Sequence, residues 1–290
     1  MGEIEAARFG RPILNWLSPT RWRMFALVIV AVALLPGRAA MAEPGASLPA
    51  SMAAIGDSIT RAADVCCYYG DHPGQSWSTG NAWWDPVSSH YERIRAVNPA
   101  ISGRAYNNAA DGAQMASAPA QAATTVAESV DYVTILMGAN DLCTSSSATM
   151  TPTASFRDSF EAALKTLHDG LPNAHVFVAS IPNLYQLWQV LHTSWSARAV
   201  WAYAGICPAM LSSSNTEADR QQVVIREAEF NQVLADVCAS YLDYCRWDGG
   251  ALYQYAFRAS DVSQLDYFHP SISGQAKLAD ITWATSWWSR

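Results

Sequence analysis

Charge is what this chain has little of. Only 15% of its 290 residues are Asp, Glu, Lys or Arg, and just 18 are basic. Residues 1–42 hold five of the 18 basic and two of the 25 acidic residues, so the remainder carries 13 against 23, a net charge of about −10. That balance argues against a nucleic-acid partner and supplies no polybasic patch for an anionic lipid surface. It says less about neutral lipid or polysaccharide. Long apolar runs are missing too: residues 24–35 form an apolar stretch of 12, short of the roughly 20 that span a bilayer. Internal repeats, linker-like tracts and a Gly-x-Ser-x-Gly elbow are also absent.

That apolar stretch follows Arg21 and Arg23 and is closed by Pro36-Gly37 and Ala40-Met41-Ala42. A basic flank, a short apolar core and a small-x-small end make up a secretory signal peptide. Residues 1–42 are therefore expected to be removed after Ala42, leaving a secreted, extracellular chain of residues 43–290 with no stable membrane span. The alternative is a retained N-terminal anchor, which Pro36-Gly37 disfavours by ending the helix. The remaining 248 residues suit one domain with a substantial core.

Six cysteines, Cys66, Cys67, Cys143, Cys207, Cys238 and Cys245, all lie beyond the leader. An even number in an exported chain predicts three disulfides, with 15 possible pairings. Neighbours strain the geometry of a direct bridge, so Cys66 and Cys67 are each expected to pin a different loop. The spacings do not resemble a structural zinc site, and histidine is scarce at six residues, so no metal is expected.

Strands are expected at residues 51–55, 105–109, 131–137 and 174–181. The third, Asp-Tyr-Val-Thr-Ile-Leu-Met, is nearly continuous in apolar, β-branched residues, as a parallel strand covered on both faces should be. Helices are expected at about 84–97, 113–129, 153–168, 217–239 and 272–287, with an irregular aromatic insertion over 184–215. Strands separated by helical crossovers predict a three-layer α/β/α domain with a central parallel sheet.

Ser58 follows the first strand, and the carboxyl ends of strands are where such sheets bind ligands. Taken alone it reads as the cap of a following helix. A serine nucleophile needs a base and an acid to orient it, and Asp266-x-x-His269 offers both beside Pro270 and the last helix. The histidines at 72, 90, 168, 175 and 192 lack so well placed an acid and read as surface or loop residues. Two strand-end segments could stabilise an oxyanion: the Gly112 amide, and the Asn140 side chain after Gly138-Ala139. Each is equally what a turn glycine or a strand-end cap would look like.

Jointly, Gly56-Asp57-Ser58, Asn108-x-Ala110-x-Gly112, Gly138-x-Asn140-Asp141 and Asp266-x-x-His269 resemble the four blocks of the GDSL, or SGNH, hydrolase family, in family order. The wider pattern, including Cys245-Arg246-Trp247-Asp248-Gly249-Gly250, looks like secreted actinobacterial lipases and esterases. The resemblance implies a flavodoxin-like SGNH-hydrolase fold and a catalytic triad of Ser58, Asp266 and His269. It implies an oxyanion hole from the Ser58 and Gly112 amides and Asn140, and no cofactor. A monomer acting on lipid or another small acyl ester is the expectation. A carbohydrate acetyl esterase and a non-catalytic wall- or glycan-binding protein on the same scaffold stay open. Tryptophans at 77, 83, 84, 188, 195 and 201 could grip a substrate or merely pack loops.

Overall fold

A computed structural model describes residues 47–289. The expected leader and its cleavage point after Ala42 lie outside the described residues.

Five parallel strands form the sheet: β1 (Met52–Gly56), β2 (Ala105–Asn107), β3 (Tyr132–Leu136), β4 (His175–Val178) and β5 (Cys245–Trp247), in the order β2-β1-β3-β4-β5. Every residue of β1 and β3 is buried, as expected for strands covered on both faces. The helices are α1 (His90–Val97), α2 (Ala118–Glu128), α3 (Ala139–Leu142), α4 (Thr153–Gly170), α5 (Leu184–Leu191), α6 (Trp195–Ala204), α7 (Pro208–Leu211), α8 (Glu217–Ala239), α9 (Ala251–Gln254) and α10 (Ile272–Ala284). Together they make the three-layer α/β/α fold.

One layer is α2, α4 and α8, packed side by side. The buried face of α4 is Phe156, Phe160, Ala163, Leu164 and Leu167, spaced as a helical stripe. Phe156 stacks on Phe230 of α8 with centroids 4.0 Å apart. Burying side chains of this size contributes about 1.5–3 kcal/mol each. A Thr216/Asp219 capping box starts α8, and a Ser89/Glu92 box starts α1.

On the other face, His90 of α1 bonds Tyr132 Oη of β3 at 2.8 Å and Thr282 Oγ1 of α10 at 2.9 Å. This histidine is fully buried, which corrects its reading as a surface or loop residue. Burial, helped by the Arg93 charge, pushes its pKa down to about 3, so it is neutral.

Three further expectations are corrected. Residues 184–215 are not irregular: Asn183 and Ser194 cap α5 and α6 through their side chains, and left-handed Gly205 closes α6. No helix follows Ser58. Consecutive turns do, because Ala62 and Asp64 take φ of 52° and 53°, which a right-handed helix cannot hold. The expectation of three disulfides also fails. Cys143 pairs with Cys207 and Cys238 with Cys245, while Cys66 and Cys67 remain thiols and pin no loop. Among the described residues no helix is long and apolar enough to cross a membrane.

Candidate active site

In a 2-1-3-4-5 sheet the chain reverses direction between β1 and β3, and a crevice opens at the carboxyl ends of those two strands. Ser58 leaves β1 there and Asn140 leaves β3 there. A cleft of about 710 Å³ is lined by Ser58, Gly112, Asn140, Asp266, Phe268 and His269 among others. The five residues singled out from the sequence thus meet in one place.

The end of β1 is held rigidly. Gln121 grips Gly56 through both backbone groups, its Oε1 accepting from the amide and its Nε2 donating to the carbonyl. Buried Gln275 donates to the Ile59 carbonyl at 2.8 Å and accepts from the Trp77 amide at 2.9 Å. These supports lie far away in sequence and had no local signal. The left-handed breaks at Ala62 and Asp64 then fold the chain back, leaving Ser58 at the cleft floor.

Asp266 and His269 lie on one tight turn. Asp266 Oδ1 accepts from the amides of Phe268 at 2.9 Å and His269 at 3.1 Å, an Asx-type turn. Its Oδ2 bonds His269 Nδ1. Tyr267 between them has φ 57°, and Trp201 fixes its carbonyl through an indole hydrogen bond of 3.0 Å. The other ring nitrogen, Nε2, lies 2.7 Å from Ser58 Oγ.

Burial of the His269 ring works against its charge. The Asp266 hydrogen bond and charge, with the Asp64 and Asp57 charges, outweigh burial and raise its pKa above the ordinary 6.5. Asp57 itself is fully buried, and loss of solvent lifts its carboxyl to about 7 despite the Ile59 amide on Oδ1.

Gly112 has φ 69°, a left-handed conformation in which a side chain would be strained. Among the described residues, neither the Ser58 nor the Gly112 amide donates to a protein acceptor. Three hydrogen bonds stitch the segment after β2 to that after β3: Asn140 Nδ2 to Ala113 O, Gln114 Nε2 to Asn140 O, and the Met115 amide to Asp141 Oδ2. One N–H of the Asn140 amide stays available for the cleft.

Among the described residues, one group could offer a cation three ligand atoms within 4.8 Å: Asp64, Asp266 and His269. Its imidazole is already engaged on both nitrogens. No tryptophan lines the cleft among the described residues; its aromatic walls are Tyr69, Tyr203 and Phe268. Trp77 and Trp201 are buried supports, and Trp83, Trp84 and Trp195 are exposed elsewhere. Trp188 stacks on His192 and under Arg220.

Sheet order and cleft position define a three-layer α/β/α protein with a ligand crevice at the carboxyl edge of its sheet. The chain belongs to the GDSL-like lipase/acylhydrolase family, whose model matches residues 52–282. It is similar to rat membrane-associated phospholipase B1, at 26% identity over 212 residues. That match takes in 62% of this chain but only 15% of the relative's length. Among solved structures, an acetylxylan esterase from Geobacillus stearothermophilus shares the fold, with a TM-score of 0.51 and 14% identity over 82% of this chain and 95% of that one. An extracellular lipase from Streptomyces rimosus aligns with a TM-score of 0.49 and 15% identity over 81% and 99% of the two chains.

Proposed function

We propose that this protein is a secreted serine hydrolase that cleaves carboxylic esters through an acyl-enzyme on Ser58. The observation that carries the reading is the 2.7 Å approach of His269 Nε2 to Ser58 Oγ, with Asp266 on the opposite nitrogen. A serine, a base and an orienting acid in that order are what nucleophilic acyl transfer requires.

Ser58 Oγ attacks the ester carbonyl while His269 Nε2 takes its proton. Asp266 holds the proton on Nδ1, so Nε2 is the free base, and stabilises the imidazolium that forms. The tetrahedral oxyanion is received by the Ser58 and Gly112 amides and the Asn140 side chain. His269 then returns its proton to the leaving alcohol, and water repeats the sequence on the acyl-enzyme. Every step uses a side chain or amide of this protein, so the scheme calls for no metal or organic cofactor.

An apolar pocket of about 60 Å³ lies beside the cleft and shares Phe268 with it. Ile59, Ala139, Leu184, Leu187 and Pro270 also line it, two of them sequence neighbours of Ser58 and Asn140. That supports an acyl chain longer than acetyl, and so a lipase, phospholipase or general carboxylesterase over an acetyl esterase. The similarity to a phospholipase points the same way.

Export is supported by the leader-like residues 1–42 and by two disulfides, which persist in oxidising compartments. The exported chain begins at Glu43, as N-terminal sequencing of secreted material would check.

A fluorophosphonate probe is expected to label the wild type and not Ser58→Ala. Labelling that survives this substitution overturns Ser58 as the nucleophile, and a wild type that takes up no label favours a non-catalytic wall- or glycan-binding role for the scaffold. In a p-nitrophenyl ester series from C2 to C16, turnover confined to the acetyl ester would favour the carbohydrate acetyl esterase instead.

A further inference from the structure

We propose that Asp64 is a second carboxylate for His269, a positioning residue that shares the Nδ1 edge of the ring with Asp266. The inference rests on the reading of Ser58 and His269 as the reacting pair.

Asp64 Oδ2 lies 3.9 Å from His269 Nδ1, with its side chain only 18% exposed. Every other polar group of the residue is occupied in holding it there. Its amide donates to the Gly70 carbonyl at 2.8 Å, and its Oδ1 accepts from the Gly70 amide at 2.6 Å. Its own carbonyl accepts from Ser263 Oγ. Oδ2 is the oxygen left to face the imidazole.

The backbone is bent to achieve this. Asp64 sits at φ 53°, a left-handed conformation that non-glycine residues adopt rarely and that gathers at functional sites. A second tie, from Tyr69 Oη to the Leu265 carbonyl at 3.0 Å, fastens the 64–70 loop to the turn bearing Asp266 and His269. The two carboxylates and the ring are therefore held as one unit from two sides.

Four carboxylates act on the ring: Asp266 by hydrogen bond and charge, and Asp64, Asp57 and Asp111 by charge. Arg61, whose charge acts on Asp111, is paired with Asp71. Asp64 differs from Asp57 and Asp111 in facing the Nδ1–H itself. It adds stabilisation when the imidazolium forms, and offers an alternative acceptor that keeps the proton on Nδ1 when Asp266 is lost.

The test is a cycle of Asp64→Asn, Asp266→Asn and the double variant, with Ser58→Ala as reference. Asparagine tolerates left-handed backbone and its Oδ1 can still accept from the Gly70 amide, so the fold and Tm of Asp64→Asn are expected to hold. Its kcat is expected to fall about tenfold with KM unchanged, and its acid limb in kcat/KM to move down by about one pH unit. NMR titration of the His269 ring should show the same downward shift independently of turnover. Asp266→Asn alone should keep far more activity than the double variant, whose loss should exceed the product of the single losses.

An unshifted His269 titration in Asp64→Asn, or a double variant no worse than Asp266→Asn, overturns the inference while leaving the Ser58 mechanism standing. Activity retained in Ser58→Ala overturns the mechanism on which it rests.

Discussion

Asn140 Nδ2 donates to the Ala113 carbonyl at 3.1 Å, tying the loop after β3 to the loop that carries Gly112. The same amide thus builds the cleft wall and, in the proposed mechanism, keeps one N–H for an oxyanion. Asn140→Ala is expected to lower kcat about 10²–10³-fold, the usual consequence of losing one such donor. Gln114→Ala removes the companion tie to the Asn140 carbonyl (3.2 Å) but no cleft donor, and should cost far less. Steady-state kinetics on one ester substrate would separate the roles; equal losses would mean Asn140 matters only as a strut.

Acid inhibition should set in above the ordinary histidine range. In the proposed mechanism His269 must be neutral to accept the Ser58 proton, and its pKa is raised because the Asp266 bond and the surrounding carboxylates outweigh burial. Activity is therefore present at alkaline pH and lost as pH falls through a value above 6.5. A kcat/KM profile with its acid limb below 6 would contradict that balance. Asp57, at about 7 in the fold, adds its charge to the ring as it ionises, so the limb should be broader than one proton produces.

Which parts of this molecule were legible beforehand follows from how local their signals are. The continuous apolar runs of β1 and β3, and the capped α8, declare themselves within a few residues. Asp266 and His269 were readable because one turn places both. β5 was missed because Cys-Arg-Trp is too short to display a period, and its partners lie in β4. The helices α5 and α6 carry signals in Asn183, Ser194 and Gly205, but their aromatic content masks the helical spacing. Asp64 was invisible because a left-handed backbone and contacts to Gly70 and Ser263 aim it, none of which leaves a trace in residue type.

Thiol content gives a direct check on the cysteine framework. Cys66 and Cys67 are unpaired and Cys67 is exposed, so denatured, unreduced protein should titrate two thiols per chain. None would mean a third bridge. Burial and the adjacent thiol push Cys66 up to about 11, so in the native state Cys67 should alkylate first at neutral pH.

The Cys143–Cys207 bridge closes 64 residues of sequence separation, and both cysteines line the cleft. Chain-entropy arguments put such a link at about 4 kcal/mol. Replacing both cysteines with alanine should lower Tm by well over 5 °C. It should also raise KM, because α6 and α7 are no longer tied to the Asn140 side of the cleft. A reduced Tm with unchanged KM would confine the bridge to stability.

Glu227 offers a stability prediction remote from the serine. It is fully buried on α8, its Oε1 accepts from the Leu184 amide at the start of α5 at 3.2 Å, and its Oε2 has no partner among the described residues. Burial holds its carboxyl well above the ordinary 4.5, with the Leu184 bond only partly opposing. Below about pH 4.5 the folded and unfolded forms are both protonated and the residue adds no pH dependence. Above it the unfolded chain ionises while the folded one does not, so stability falls by about 1.4 kcal/mol per pH unit until the folded value is reached. Glu227→Gln keeps the acceptor for Leu184 and removes the ionisation. Its Tm should exceed wild type at pH 7–8, and the two should converge near pH 4. Thermal melts across that range would show it, and a variant less stable at every pH would mean that Glu227 is ionised and specifically paired in the folded protein.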